Sequence, residues 1–103
     1  MAILNVSVKG DGVINNAAIY LEDPLEKTPL YLNPVSDTEW ERSNINVPLE
    51  GQLDYSLIVI ASTGTKFSCT ITNTEDDTSV SFKGMTGKKD KNYYHEKGAC
   101  DLQ

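Results

Sequence analysis

Cysteine, histidine and long apolar runs are all scarce in this chain of 103 residues. Two cysteines and one histidine cannot supply the four ligands of a tetrahedral zinc site, and they exclude a disulfide-rich scaffold. No apolar stretch approaches the length of about 20 residues that a membrane-spanning helix needs. The chain has 8% aromatic and 23% charged residues, as globular proteins do, which excludes collagen-like, coiled-coil and disordered classes. We expect a single domain over residues 1–103, with no cofactor and no membrane partner.

Positive charge is also in short supply. Nine Lys and Arg residues face fifteen Asp and Glu residues, which gives a formal net charge of −6. Because affinity for phosphates comes mainly from clustered basic residues, this balance argues against a nucleic-acid partner. One segment, Lys83 to Lys97, is locally basic, and within it Lys88, Lys89 and Lys91 lie close together. These three lysines are candidates for steering an anionic partner, with a solvated loop as the alternative.

The start of the chain lacks the charged and apolar regions of a signal peptide. We therefore expect a cytoplasmic protein by default, or an extracellular one if a signal has been removed. The sequence does not separate these two locations.

The two cysteines leave one disulfide question open. Cys69 lies between Phe67 and Ile71 at two-residue spacing, which indicates a buried strand position, and Cys100 follows Gly98 near the end of the chain. A bridge between Cys69 and Cys100 would stabilise the fold by restricting the unfolded chain. A buried free cysteine at position 69 is the alternative.

A period of two in the polar and apolar residues dominates the sequence and predicts an all-β fold. Leu4–Val8, the turn Gly10–Gly12 and Val13–Leu21 predict a hairpin. The strongest pattern, Gln52–Ser62, predicts a central strand. We expect a single-domain antiparallel β-sandwich of seven or eight strands, immunoglobulin-like or related, with a small β-barrel as the alternative.

Two segments ended by a proline, Leu30–Leu32 and Ser43–Val47, predict short edge or connecting strands. Between them, a capping-box pattern predicts one helical turn at Ser36–Arg42. Later alternation predicts three further strands, at Lys66–Thr74, Thr78–Lys83 and Asn92–Lys97.

The segment Leu49–Val59 resembles the tyrosine corner of fibronectin type III and immunoglobulin-like domains. In those domains a leucine precedes a tyrosine by six residues and alternating apolar residues follow; here the pair is Leu49 and Tyr55. Gly51 and Leu53 stand where those domains usually have proline and threonine, and more strands follow the tyrosine here. The resemblance implies a β-sandwich.

Exposed aromatic residues favour a recognition function. Trp40, Tyr93 and Tyr94 are the rings least committed to a strand face, and such rings stack on sugars while amides and carboxylates bond sugar hydroxyls. The alternative is that Trp40 covers one end of the core and the tyrosines line strand surfaces. We expect a non-catalytic module that binds a protein surface or a glycan through loops and these rings.

Self-assembly is a second hypothesis. Ile58 and Ile60 lie on the opposite face of the central strand from Leu57 and Val59, so they need a cover or form an apolar patch. They would then join two copies of the chain as a homo-oligomer.

A calcium-dependent binding domain is the third hypothesis. Oxygen ligands would come from Asp11, Asp23, Glu75, Asp76 and Asp77 if the loops that carry them meet at one end of the sandwich. The spacing matches no calcium-loop motif, and acidic turns without an ion are the alternative.

An enzyme is not expected. His95 follows Tyr94 and precedes Glu96, and no serine or cysteine nucleophile stands beside it in the sequence. A structural role is the simplest interpretation of this histidine.

Overall fold

The computed structural model describes residues 2–21, 30–47, 53–75, 77–87 and 93–100. Within these ranges there is no helix, and hence none long and apolar enough to cross a membrane. The same ranges contain nine strands. In chain order they are β1 Ala2–Gly10, β2 Ile14–Leu21, β3 Leu30–Tyr31, β4 Asn33–Pro34, β5 Glu39–Val47, β6 Leu53–Ala61, β7 Lys66–Asn73, β8 Thr78–Met85 and β9 Tyr93–Cys100.

The strands form two antiparallel sheets that pack face to face. Sheet A has the order β4-β5-β1-β7-β8 and sheet B the order β3-β2-β6-β9. The fold is therefore a β-sandwich and not a closed barrel, as the period-two pattern predicted. The buried side chains of the core are Leu4, Val6, Val8, Ile14, Ala17, Ile19, Leu21, Leu32, Ile45, Leu57, Val59, Phe67, Cys69 and Ile71.

The predicted first hairpin is wrong. β1 pairs with β5 and β7 in sheet A, whereas β2 pairs with β3 and β6 in sheet B. The turn between them, which begins at Asp11, crosses from one sheet to the other. Alternation specifies which side of each strand is buried, but a turn within one sheet and a turn between two sheets leave the same pattern.

The segment Leu30–Leu32 also changes sheets, which makes nine strands where we predicted seven or eight. β3 pairs with β2 and β4 pairs with β5. Leu32 lies between them, is buried, and donates its backbone N–H to the carbonyl of Ala17 at 2.9 Å. The chain thus passes from sheet B to sheet A at Leu32, and the side chain of this residue is buried in the core between the sheets.

The predicted helical turn at Ser36–Arg42 is wrong as well. The backbone amides of Val35 and Ser36 donate to the carbonyl of Glu39, at 2.8 and 3.1 Å, and close the turn between β4 and β5. β5 then begins at Glu39, four residues earlier than predicted. Trp40 consequently lies on a strand.

The predicted central position of Gln52–Ser62 is confirmed, because β6 lies between β2 and β9. Leu57 and Val59 are fully buried in the core. Ile58 and Ile60 face the other way, onto the outer surface of sheet B, and are partly exposed.

Two pairs of aromatic rings close the side of the sandwich where β8 lies beside β9. Phe82 of sheet A stacks on Tyr55 of sheet B, with ring centroids 5.1 Å apart. Tyr94 of sheet B meets the buried Phe67 of sheet A edge to face at 4.8 Å. We call these four residues the aromatic flank.

The edge strands β8 and β9 each carry a glycine under the aromatic flank. Gly84 of β8 pairs with Phe67, and a Cβ added to it would lie 2.7 Å from the Phe67 ring and 2.8 Å from the Tyr94 ring. Gly98 of β9 pairs with Tyr55, and its added Cβ would lie 2.6 Å from the Tyr55 hydroxyl oxygen. Rings that cover strand glycines in this way compensate for the missing side chain.

A buried threonine, Thr86, forms hydrogen bonds to the turn that joins β6 to β7, at one end of the sandwich. Thr86 directly follows β8 and is fully buried. Its hydroxyl donates to the carbonyl of Ser62 at 2.6 Å and accepts from the amide of Thr65 at 3.1 Å. The Thr86 amide in turn donates to the Thr65 carbonyl at 3.0 Å. The chain leaving β8 is thereby held to the β6–β7 turn.

Cys69 lies on β7, is fully buried, and takes part in no disulfide. The bridge to Cys100 is therefore not formed in the structure, which leaves the alternative of a buried cysteine outside any disulfide. The side chain of Cys100 lies outside the described part of the chain.

A buried Cys69 outside any disulfide predicts two results in mass spectrometry. The mass of the intact protein does not change on reduction, and iodoacetamide labels Cys69 only after unfolding, because reaction requires an accessible thiolate. Intact-mass measurement with and without reductant checks the first result, and peptide mapping with and without denaturant checks the second. A two-dalton gain on reduction would contradict the absence of a disulfide.

Candidate functional site

The outer face of sheet B is built from residues that alternate with the core. Because cross-strand partners point to the same side of a sheet, the pairing of Ile58 with Ala18 and His95 forms one row, and that of Ile60 with Asn16 and Tyr93 forms the next. The described side chains that complete this face are Tyr20, Tyr31, Asp54, Ser56 and Ala99.

A depression of about 190 Å³ lies in this face, over the boundary between β2 and β6. Ala18, Ile58 and Ile60 provide an aliphatic floor. Tyr20 and Tyr31 stand around it, and Asn16 adds one amide. The arrangement suits an apolar group about the size of one ring, with polar contacts at its edge.

The Tyr31 side chain is 54% exposed, yet three interactions hold its backbone in place. It pairs with Ala18 of β2, and the Arg42 side chain reaches from sheet A to donate from Nη1 to the Tyr31 carbonyl at 3.1 Å. The next residue, Leu32, is buried in the core. The ring is thus presented on a short strand that is anchored to both sheets, which lowers the ordering cost of binding.

A serine–histidine pair lies beside the depression. The Oγ of Ser56 is 2.7 Å from Nε2 of His95, and Ser56 is only 7% exposed. Within the described residues no carboxylate forms an ion pair with His95. The backbone amides around Ser56 belong to the paired ladder of a central strand, where they cannot act as oxyanion donors. The pair provides the buried Ser56 hydroxyl with a hydrogen-bond partner.

The outer faces of the two sheets differ in character. Sheet A presents hydroxyls such as Thr70 and Ser81, whose oxygens are 3.0 Å apart, and the ion pair of Lys9 with Glu39 at 3.8 Å. Among the described side chains on the outer face of sheet B, Asp54 alone carries a formal charge. A polar outer face is usual for a solvated sheet, so sheet B is the exception.

The structure does not bring the predicted aromatic contacts together. Trp40 packs against the core from β5, and its indole N–H donates to the carbonyl of Ile14 at 3.1 Å. β5 lies beside β2, whereas Tyr93 and Tyr94 lie on β9 at the other side of the sandwich. Two strand spacings, about 10 Å, separate these sides. Trp40 therefore covers one end of the core, which was the alternative interpretation.

The two neighbouring tyrosines have separate positions. Tyr94 belongs to the aromatic flank and packs inward. Tyr93 points outward, is 44% exposed, and lies on the outer face of sheet B. The predicted lysines Lys88, Lys89 and Lys91 lie outside the described residues.

The three described acidic residues proposed for calcium, Asp11, Glu75 and Asp77, do not converge. Asp11 lies at the start of β7, where its Oδ1 accepts from the Lys66 amide at 3.0 Å. Glu75 and Asp77 follow the other end of that strand. The eight residues of β7 place them about 23 Å from Asp11. Asp23 and Asp76 lie outside the described residues, within which no group of potential ligands is arranged to hold a metal.

Part of this site was beyond sequence reasoning. Ile58 and Ile60 were predicted to form an apolar patch, and the structure places both on the outer face. The alternation predicts that Tyr20 and Tyr31 point away from the core, but they were not assigned to a site, because only the pairing of β2 with β6 and with β3 brings their rings beside the isoleucines. Ser56 and His95 are 39 residues apart, and no spacing in the sequence signals their contact.

Comparison of the chain with protein-family models, with curated proteins and with solved structures finds no match in any of the three. The function is therefore argued from the site.

Proposed function

We propose that this protein is a non-catalytic recognition module that binds a protein surface through the outer face of sheet B. The observation that carries the proposal is the depression floored by Ala18, Ile58 and Ile60 and bordered by tyrosines. Among the side chains of this face that the structure describes, Asp54 alone is charged, in a molecule whose formal net charge is −6. Interface cores in protein complexes share this depletion of charge and enrichment in tyrosine.

The floor of the depression favours a protein side chain over a sugar. An aliphatic or aromatic side chain buries apolar area against Ile58 and Ile60, at about 25 cal/mol per Å². A sugar ring on the same floor would lose hydrogen bonds from its hydroxyls to water, and a hydroxyl without a partner costs about 1–3 kcal/mol. Apart from the tyrosine hydroxyls, Asn16 alone of the lining side chains could replace those bonds.

We further propose that the sandwich is immunoglobulin-like. In that family one sheet contains strands D-E-B and the other C′-C-F-G. The orders β4-β5-β1 and β3-β2-β6-β9 match these if β6 takes the place of strand F. Tyr55 then lies near the start of strand F, where the family has its corner tyrosine. The additional strands after the tyrosine are β7 and β8, which sit beside β1 in the place of strand A.

An NMR titration with p-cresol, an analogue of the tyrosine side chain, tests the recognition surface. We expect a dissociation constant of about 1 mM, given eight heavy atoms in the ligand. Amide shifts should be confined to residues around Ala18, Tyr31 and Ile60. Methyl glucoside, added separately, should leave these amides unchanged.

Variants give the titration its control. Ile60→Ala removes part of the floor and should weaken p-cresol binding about fivefold, the equivalent of about 1 kcal/mol. Val13→Ala removes an equally apolar but distant side chain, 55% exposed in the β1–β2 turn, and should bind like the wild type. Shifts with methyl glucoside alone would show that the depression recognises a glycan and not a protein side chain. No shifts with either ligand would refute the proposal that this surface binds a partner.

A further inference from the structure

We propose that the protein partner is a second copy of this chain, packed outer face of sheet B against outer face of sheet B. The inference rests on the proposed function, since it names the occupant of the same surface. The two copies are related by a two-fold axis that lies between the faces and runs parallel to β6. Each copy then inserts Tyr93 into the depression of the other.

The register of sheet B determines this arrangement. Ile60 of β6 pairs with Asn16 of β2 on one side and with Tyr93 of β9 on the other, so these two residues lie at the same level along the strands. Rotation about an axis parallel to β6 keeps that level and exchanges the β2 side with the β9 side. Tyr93 of the second copy therefore lies over the depression beside Asn16, and the reverse contact forms at the same time. Such reciprocity is what a two-fold interface requires.

The interface between the two copies would be formed mainly by isoleucine and tyrosine side chains. Ile58 and Ile60 of β6 lie along the two-fold axis. Each therefore faces the same isoleucine of the second copy. Tyr93 at 44% exposure and Tyr31 at 54% lie on the two edge strands of the sheet, so each has accessible surface to bury. Two sheets packed in this aligned way lie about 10 Å apart, the usual distance across a sandwich.

The available area predicts a weak dimer. Three full strands about 4.8 Å apart and about 26 Å long, with the short β3 beside them, present roughly 400–500 Å² per copy. The total of about 800–1,000 Å² is below that of stable specific interfaces and falls among weak, transient ones. For such an interface we expect a dissociation constant on the order of 100 μM.

Charge sets the salt dependence of this association. Two copies with a formal charge of −6 each repel one another. Within the contact, Asp54 is the one charged residue among the described side chains, and the axis places it opposite Asp54 of the second copy. Added salt therefore screens repulsion in the contact as well as between the two acidic molecules. Raising the ionic strength should tighten the dimer, the opposite of an association held together by opposite charges.

Sedimentation velocity over a concentration series tests the proposal with three proteins. The wild type should dimerise at about 1 mM, roughly ten times the expected dissociation constant. Tyr93→Ala should weaken dimerisation about tenfold, as removal of a central tyrosine does in other interfaces. Met85→Ala removes a residue of similar exposure, 46%, from β8 in sheet A and should leave the constant unchanged. Circular dichroism shows whether each variant is folded.

Isotope-filtered NMR on a mixture of labelled and unlabelled wild-type protein tests the arrangement directly. Contacts between Tyr93 of one copy and Ala18 of the other should appear, and p-cresol should displace them. Dimers whose intermolecular contacts lie elsewhere would overturn the assignment of this face, and so would a Tyr93→Ala protein that dimerises like the wild type.

The two proposals fail separately. If the protein stays monomeric at the highest concentration while p-cresol still binds the depression, the second copy is refuted and recognition of a different protein stands. If p-cresol does not bind either, both proposals are refuted.

Discussion

Replacing Gly84 with alanine is expected to lower the free energy of unfolding by about 2 kcal/mol. The added methyl group would lie 2.7 Å from the Phe67 ring and 2.8 Å from the Tyr94 ring, closer than carbon atoms approach in proteins. Phe67 is buried in the core and Tyr94 packs against it edge to face, so neither ring moves without disturbing the other. The variant therefore overpacks the aromatic flank.

Thermal unfolding followed by circular dichroism measures the effect, and a loss of about 2 kcal/mol lowers Tm by about 10 °C in a domain of this size. Gly12→Ala is the matched control. Its added methyl group would meet Thr65 at 3.8 Å, an ordinary contact, so Tm should change by no more than about 2 °C. Equal losses in the two variants would show that glycine itself, and not the space above Gly84, determines the result.

Replacing Thr86 with valine is expected to cost about 1–3 kcal/mol of stability at almost unchanged volume. Valine fills the same buried space but removes the hydroxyl that donates to the Ser62 carbonyl and accepts from the Thr65 amide. Both backbone groups stay close to a fully buried site and lose a partner. Each group keeps another partner, because the Thr65 amide also donates to the Ser62 carbonyl at 3.1 Å. The expected cost is therefore that of the two hydrogen bonds removed, about 0.5–1.5 kcal/mol each.

Urea unfolding of Thr86→Val and of Thr72→Val separates the hydroxyl from the change of residue type. Thr72 lies on the outer face of sheet A, where its hydroxyl reaches water, so its replacement should change stability by less than about 0.5 kcal/mol. A Thr86→Val protein as stable as the wild type would mean that the hydrogen bonds at this end contribute little.

The strands themselves could be predicted because burial on one side leaves a pattern in neighbouring residues. β6 differs from its predicted range by one residue at each end, and β7 ends one residue early. Pairing could not be predicted in the same way. β1 lies between β5 and β7, and its contacts join Leu4 to Ile45 and Asn73, far away in the chain.

In the candidate site, too, features within one strand could be predicted and features that depend on strand pairing could not. Ile58 and Ile60 could be predicted as an outer apolar patch from alternation within one strand. The depression needs Ala18 and Tyr31 beside them, which depends on pairing between three strands. Trp40 was assigned to the surface because no strand was predicted over it. On a strand, its side chain points into the core.

The aromatic flank joins the two strands that lie at the exposed edges of different sheets. Phe82 of β8 rests on a tyrosine of sheet B, and Tyr94 of β9 rests on a phenylalanine of sheet A. Detachment of either strand exposes a ring of its own and uncovers one in the opposite sheet. β8 and β9 therefore form one cooperative unit of local unfolding, although no backbone ladder connects them. An edge that opens only together with its neighbour is rarely available to pair with a foreign strand.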